Sequence, residues 1–288
     1  MLPPAMMVYY KPRIDYLREH AVDPDKRRYA VEAEAPRHYI DLNHYGFFPF
    51  VELPRAWYNA VQKFGEDTLN AHGIVPWWIQ IMQQRLTNAF VEKNDAAILK
   101  LSAEIGHYIA DAHVPLHAHS NYNGQQTGQH GIHGFWESRI PELLAKSEFD
   151  YWIGKAQYLV SPQKFIWQRV LESAAAADTV LSTEKILSQQ FPPDRKYAFE
   201  ERNGLILRQY SSAFTIAYNK ILNGMVERRM RQSIFAVASF WYTAWINAGQ
   251  PQLPGLSKMN FTETHKAEMD SLDRIWKSAE SKGRTCGN

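Results

Sequence analysis

Residues Glu104–Glu137, EIGHYIADAHVPLHAHSNYNGQQTGQHGIHGFWE, hold six of the chain's eleven histidines, His107, His113, His117, His119, His130 and His133, together with Asp111 and Glu137. His107 and Asp111 stand four residues apart, and so do His133 and Glu137. On an α-helix that step returns a side chain to nearly the same face one turn along, so each pair can grip one ion. One such pair is ordinarily a surface helix contact. Two of them with a histidine between are a metal-site composition. Mixed imidazole and carboxylate donors suit zinc, and a catalytic zinc takes about three ligands from the protein and keeps a position open for water.

The residues between the pairs agree with this. Pro115 lies between Asp111 and His117, and a proline kinks or ends a helix by removing a donor and crowding the preceding turn. His117 is thereby swung toward the pairs. Ser120 to Gly131 holds Gly124, Gly128 and Gly131 among several Asn and Gln, a loop composition, which returns His133 and Glu137 opposite the first helix. His113 projects to another face, and His119 and His130 read as bystanders, with His130 the alternative to His133 in another register. Glu104 and His107 form Glu-x-x-His, but the di-iron bundle needs that motif on two separate helices, and no second copy is present.

The runs HYIADAHVPLH and HGIHGFWE resemble the metal-binding core of the zinc-dependent phospholipase C and S-one/P-one nuclease superfamily, whose members share His-x3-Asp-x5-His, a glycine-rich loop and His-x3-Asp/Glu. The resemblance extends over roughly Ala21 to Ala248 and is loose between the motif clusters. It implies a helical fold, zinc, and hydrolysis of phosphodiesters in phospholipid head groups or nucleic acids. The superfamily also carries an aspartate followed about fifteen residues on by the histidine of a His-aromatic-Ile-Asp motif, which matches Asp23 and His38 of PRHYIDL. The resemblance therefore implies a first zinc on Asp23, His38, His107 and Asp111, with Asp25 the rival to Asp23. A second zinc falls to His117, His133 and Glu137. Asp111 is the residue on which catalysis is expected to depend, because its superfamily match bridges two metals. Asp41 and His44 are expected to support ligands, since a metal-bound imidazole usually donates its other N–H.

The superfamily's third zinc sits on an N-terminal tryptophan and a nearby histidine, and neither has a counterpart before Asp23. The expectation is two zinc ions for this chain and a third if a missing N-terminus is restored. The opening MLPPAMMVYYKPR shows no signal-peptide pattern, so a secreted or periplasmic location is expected only if the true start lies upstream.

Composition narrows the rest. With 32 basic and 30 acidic residues the formal charge is +2, so no global field draws the chain to nucleic acid or anionic lipid. The single Cys286 excludes an internal disulfide and a thiolate-rich zinc site. An apolar content of 45% supports a large core, and no apolar run approaches the ~20 residues of a membrane span.

Apolar periodicity and breakers predict helices over Pro3–His20 interrupted near Pro12, Trp57–Asn70, Trp77–Phe90, Asp95–Ala112 with Asp95 as cap, and onward from Glu137 to Leu144. They also predict helices over Tyr151–Val160, Pro162–Thr179, Thr183–Leu187, Leu205–Asn223 and Met225–Ala248. Asp23-Pro24-Asp25 reads as a turn, and no strand alternation persists. His72, beside Gly73, reads as a helix C-terminal residue and not as a ligand. The expected fold is all-α, a single multi-helix domain over residues 1–248 of the phospholipase C/nuclease type with its metal cluster in a cleft. Residues 249–288 are expected to be a linker and C-terminal tail, with a charged helix over Thr262–Ser281.

The expected function is zinc-dependent hydrolysis of phosphodiesters, phospholipase C-like. The alternatives are a single-strand nuclease and a non-catalytic zinc-binding relative lacking the third metal. The expected partner is a phospholipid or nucleic-acid substrate, with no obligate protein partner.

Overall fold

The computed structural model describes residues 1–202, 204–253 and 263–278. Most of them are helical. Three short helices lead, α1 Pro4–Tyr10, α2 Ile14–His20 and α3 Asp23–Arg27, followed by α4 Trp57–Phe64, α5 Glu66–His72, α6 Val75–Val91 and α7 Asp95–Asp111. Next come α8 Ile132–Gly134, α9 Ile140–Glu148, α10 Pro162–Gln190, the strands β1 Tyr197–Arg202 and β2 Leu205–Tyr210, α11 Ser212–Ile221, α12 Met225–Asn247 and α13 Glu263–Ser278.

The longer helices form where good helix formers run between clear caps. Asn94, and not Asp95, caps α7 by accepting from the Ala97 N–H at 3.1 Å, satisfying one of the donors a helix start leaves open. Ser161 does the same for α10, with Pro162 in the first turn. The alanine run from Ala174 to Ala177 carries α10 without a break for 29 residues, where periodicity alone suggests two helices.

These helices meet in one apolar cluster. Ile79, Leu86 and Phe90 of α6, Ile98, Leu99 and Ile105 of α7, Ile166 and Val170 of α10, and Phe240 and Ala244 of α12 are all buried in it. A second cluster gathers Leu116, Ile132, Phe135, Val180, Phe214 and Tyr218 beneath the segment that carries His117, His133 and Glu137. Fully burying each large side chain contributes ~1.5–3 kcal/mol, so the second cluster anchors the loop-borne half of the histidine-rich stretch.

Several sequence expectations change. Tyr151–Val160 is not helical, because its backbone donors find partners on α12: the Gln157 N–H on Ser239 Oγ at 3.1 Å and the Leu159 N–H on Thr243 Oγ1 at 2.9 Å. Asp23-Pro24-Asp25 opens α3 instead of making an isolated turn, with proline in a helix's first turn. Leu205–Asn223 divides into β2 and α11, and β1 and β2 pair antiparallel with Tyr197 opposite Tyr210. The dipeptide Asn203-Gly204 between them is the strongest short hairpin signal, and Gly204 takes φ 77°, the left-handed region such a turn requires.

Within the expected tail, α13 packs back onto the protein through Lys26 to Asp273 at 2.6 Å and Lys100 to Glu268 at 3.0 Å. Cys286 lies outside the described residues. Among the described residues no helix is long and apolar enough to cross a membrane.

Glu184 of α10 ties the hairpin to the glycine-rich loop. Its buried carboxylate accepts from Tyr210 Oη at 2.9 Å and Gln129 Nε2 at 2.5 Å and lies 2.8 Å from Lys196 Nζ. Burial pushes this carboxyl up, but Lys196, Gln129 and Ser188 outweigh it and hold it below its ordinary value. A depressed carboxyl stabilises the fold above its unfolded value, ~4.3, and that contribution is lost as pH falls through the folded value. Glu184→Gln is therefore expected to lower stability at pH 7 by ~1–3 kcal/mol, with a shallower loss below about pH 4.3 than the parent shows. Urea melts at pH 7 and below pH 4.3 read both.

Candidate metal centre

Two donor sets form where five segments meet. The first holds Asp25 of α3, His38 of the segment that follows, and His107 of α7, with Asp111 one turn further along α7. Here His38 Nδ1 lies 3.2 Å from His107 Nε2, and Asp111 Oδ2 lies 2.9 Å from the former and 3.4 Å from the latter. Asp25 Oδ1 is 3.7 Å from His38 Nδ1 and 3.6 Å from His107 Nε2.

The second set is His117, His133 and Glu137. Glu137 Oε2 lies 3.3 Å from His117 Nε2 and 3.2 Å from His133 Nε2. His117 rides the 3₁₀ turn Pro115–Ala118, as Pro115 leads one to expect. Glu137 lies on a π-helical turn, Phe135–Arg139, between α8 and α9, a widened turn that recurs at functional sites.

The spacings have a direct meaning. Bonds of about 2.0–2.1 Å arranged tetrahedrally around one ion place neighbouring donors ~3.3 Å apart. The separations within the sets, 2.9–3.7 Å and 3.2–3.3 Å, lie close to such edges. The ring orientations agree. His117 Nδ1 donates to the His38 carbonyl at 2.6 Å and His133 Nδ1 to the Tyr122 carbonyl at 3.3 Å, which leaves each Nε2 facing Glu137. That is how metal-bound imidazoles are ordinarily held, so the residues fit a cation at both places.

Charge agrees as well. Burial pushes the Asp111 carboxyl up, but His107, His117 and His38 outweigh it and hold it low. Glu137 is held well below the usual carboxylate range by His133 and His117 against a similar burial effect. Asp25 is likewise depressed, burial being overcome by His107, His38 and Arg28. All three stay ionised at neutral pH. A cavity of about 260 Å³ opens beside the two sets, its wall including Asp111 from the first and Glu137 from the second, with Trp136, Met230 and Arg229.

Asp23 is the correction. Its carboxylate accepts from His20 Nδ1 at 2.6 Å and lies 3.1 Å from Lys26 Nζ, in the wall of a small 20 Å³ cavity shared with Glu268 and Leu272 of α13. Residues two apart on a helix point ~200° away from each other, so α3 offers Asp25 or Asp23 to the histidines, not both, and it offers Asp25. Of the other six expected ligands, His38 and His107 fall in the first set with Asp111 beside them, and His117, His133 and Glu137 form the second.

The supporting residues differ too. Asp41 Oδ2 faces His72 Nδ1 at 3.6 Å, and His44 stacks on His72 at 3.4 Å between ring centroids. The carbonyls of His38 and Tyr122 hold the second set instead. His113 is buried, its Nδ1 donating to the Ile109 carbonyl at 2.7 Å, and burial with Arg229 pushes its pKa down to about 3. His130 is exposed and is not the ligand candidate. Phe135 stacks on Tyr210 in the core, whereas Trp136 reaches the cavity.

Two glycines allow this assembly. A Cβ on Gly73, at φ 88°, would stand 2.2 Å from the Tyr39 carbonyl oxygen, and one on Gly124, at φ 70°, 2.5 Å from that of Gln129. The first contact presses the chain against the residue next to His38; the second closes the loop that delivers His133.

Comparison with protein families, curated proteins and solved structures finds no match for this chain. Asp25→Asn is expected to lower zinc stoichiometry by about one ion per chain, while Asp23→Asn leaves it unchanged, and elemental analysis of the two variants separates them. His133→Ala is expected to remove about one ion from the other set.

Proposed function

We propose that this chain is a zinc-dependent phosphodiester hydrolase of the phospholipase C-like kind, with the all-α architecture of the superfamily its motifs resemble. The observation that carries the reading is the pair of tetrahedrally spaced donor sets, joined at Asp111 and His38 and bordering one cavity. Zinc held there supplies Lewis acidity and brings the pKa of water toward 7.

The chain's own residues do the rest. His38, His107 and Asp25 would hold one ion and His117, His133 and Glu137 another, while the negative charge of Asp111 would offset repulsion between the two cations. Val226, Met230 and Ile234 give the cavity an apolar wall, which lowers the local dielectric and strengthens every charge interaction inside. None of the residues in this arrangement is required as a covalent nucleophile.

A phospholipid substrate is favoured over a nucleic acid by the segment after Tyr45. Phe47, Phe48 and Val51 are 95%, 60% and 76% exposed, an apolar cluster of the kind that meets a lipid surface. Asn43 bonds Ser120 at 2.8 Å, which ties this segment to the loop leading into the second set.

Zinc-loaded protein assayed against phosphatidylcholine vesicles, single-stranded DNA, RNA and bis(4-nitrophenyl) phosphate is expected to cleave the last and the vesicles. Cleavage of DNA or RNA instead selects the nuclease reading. Two bound ions with no turnover on any of them makes the protein a non-catalytic zinc binder. Asp111→Asn keeps the volume and loses the charge, and is expected to reduce turnover ~10²-fold or more with the helical circular-dichroism spectrum retained.

A further inference from the structure

We infer that Glu34 is a positioning residue for the first donor set, turning the His38 ring so that Nδ1 faces the metal. His38 is unlike its companions. His107, His117 and His133 present Nε2 to their sets, whereas His38 presents Nδ1, 2.9 Å from Asp111 and 3.2 Å from His107. Its Nε2 therefore points away, into the protein, where the ring is 1% exposed.

What faces that nitrogen is a carboxylate. Glu34 Oε1 lies 3.6 Å from His38 Nε2, and among the described residues Nε2 has no hydrogen-bond partner nearer than this. Glu34 is itself fully buried. Three groups grip it: the Tyr108 hydroxyl donates to Oε1, Arg37 Nη1 donates to Oε2 at 2.5 Å, and Arg27 Nη1 stands 3.7 Å from Oε2. Arg27 is fixed in turn by Glu104 of α7. Tyr108 follows His107 directly, so α7 carries both a ligand and the clamp on the carboxylate behind another ligand.

The separation of 3.6 Å is too long for a hydrogen bond, and an unpaired buried polar atom is costly. Committing Nδ1 to a cation puts the ring's proton on Nε2, opposite a carboxylate that is already clamped. A shift of under an ångström closes that contact. The second set is oriented by carbonyls, His38 for His117 and Tyr122 for His133; the first set has Glu34 in that role, and a carboxylate also raises the ligand's basicity.

This inference rests on the zinc reading of the first set and not on phosphodiester turnover. The test uses the full chain carrying His133→Ala, which isolates the first set, and measures zinc affinity by competition with a chromogenic chelator, with and without Glu34→Gln. The expected result is ~10–100-fold weaker binding. In the parent sequence, Glu34→Gln is expected to leave the second set's affinity unchanged.

A merely structural role for Glu34 would not move the imidazole nitrogen spectrum of the zinc-loaded protein selectively. There His38 is expected to carry its proton on Nε2 in the parent and to lose that preference in Glu34→Gln. Tyr108→Phe, which keeps the carboxylate and its arginines, is expected to weaken the first set several-fold, and it serves if Glu34→Gln fails to fold. Unchanged first-set affinity in either folded variant, equal loss at both sets, or no zinc at the first set in the parent overturns the inference. Zinc binding that responds as expected in a protein that hydrolyses none of the phosphodiesters upholds the inference and defeats the hydrolase reading.

Discussion

The arrangement hangs on a reciprocal backbone link between two distant segments. His117 Nδ1 donates to the His38 carbonyl at 2.6 Å, and the Ile40 N–H donates to the His117 carbonyl at 2.8 Å. One residue thereby serves both donor sets, His38 giving its ring to the first and its carbonyl to the second. This pair of bonds, with Leu116 buried in the second apolar cluster, sets where the 3₁₀ turn carrying His117 lies relative to His38, and Asp111 is held low by both His107 and His117.

Around that link the protein concentrates charge it cannot leave unpaired. Asp111, His38, His117 and His133 are all at least nine-tenths buried, and taking ionised groups out of water costs several kcal/mol each unless partners are supplied. The imidazoles supply part of the compensation. A divalent cation would supply more, because it would satisfy several lone pairs at once and add positive charge among the three carboxylates. The two apolar clusters let the chain bear this cost, since they hold α7 on one side and the loop and π-helical turn on the other.

The neighbouring elements keep those two sides in register. Arg229 of α12 donates Nε to the His113 carbonyl at 2.8 Å and Nη1 to Glu172 of α10 at 3.1 Å, locking the chain where it leaves α7. Ser173 Oγ donates to the Ala112 carbonyl at 2.8 Å. The helix end that carries Asp111 is thus satisfied by side chains from two other helices, as an end removed from solvent must be.

By itself the sequence determined the helical class and the likeness of the two His/carboxylate pairs, because steps of four and apolar periodicity are local properties of a helix. The break at Pro115 and the loop character of Ser120–Gly131 were local too. The hairpin was also signalled locally, by Asn203-Gly204, although Leu205–Tyr210 reads equally as a helix when apolar spacing alone is weighed. Only the tertiary structure decided between Asp23 and Asp25, since that depends on which face of α3 meets α7 and which meets α13. It alone decided that the His38 carbonyl, and not Asp41 or His44, stands behind the His117 ring, because a hydrogen-bond partner 79 residues away leaves no trace in local spacing. And it alone made Tyr151–Val160 non-helical, where side chains of α12 satisfy backbone donors that a helix would otherwise have claimed.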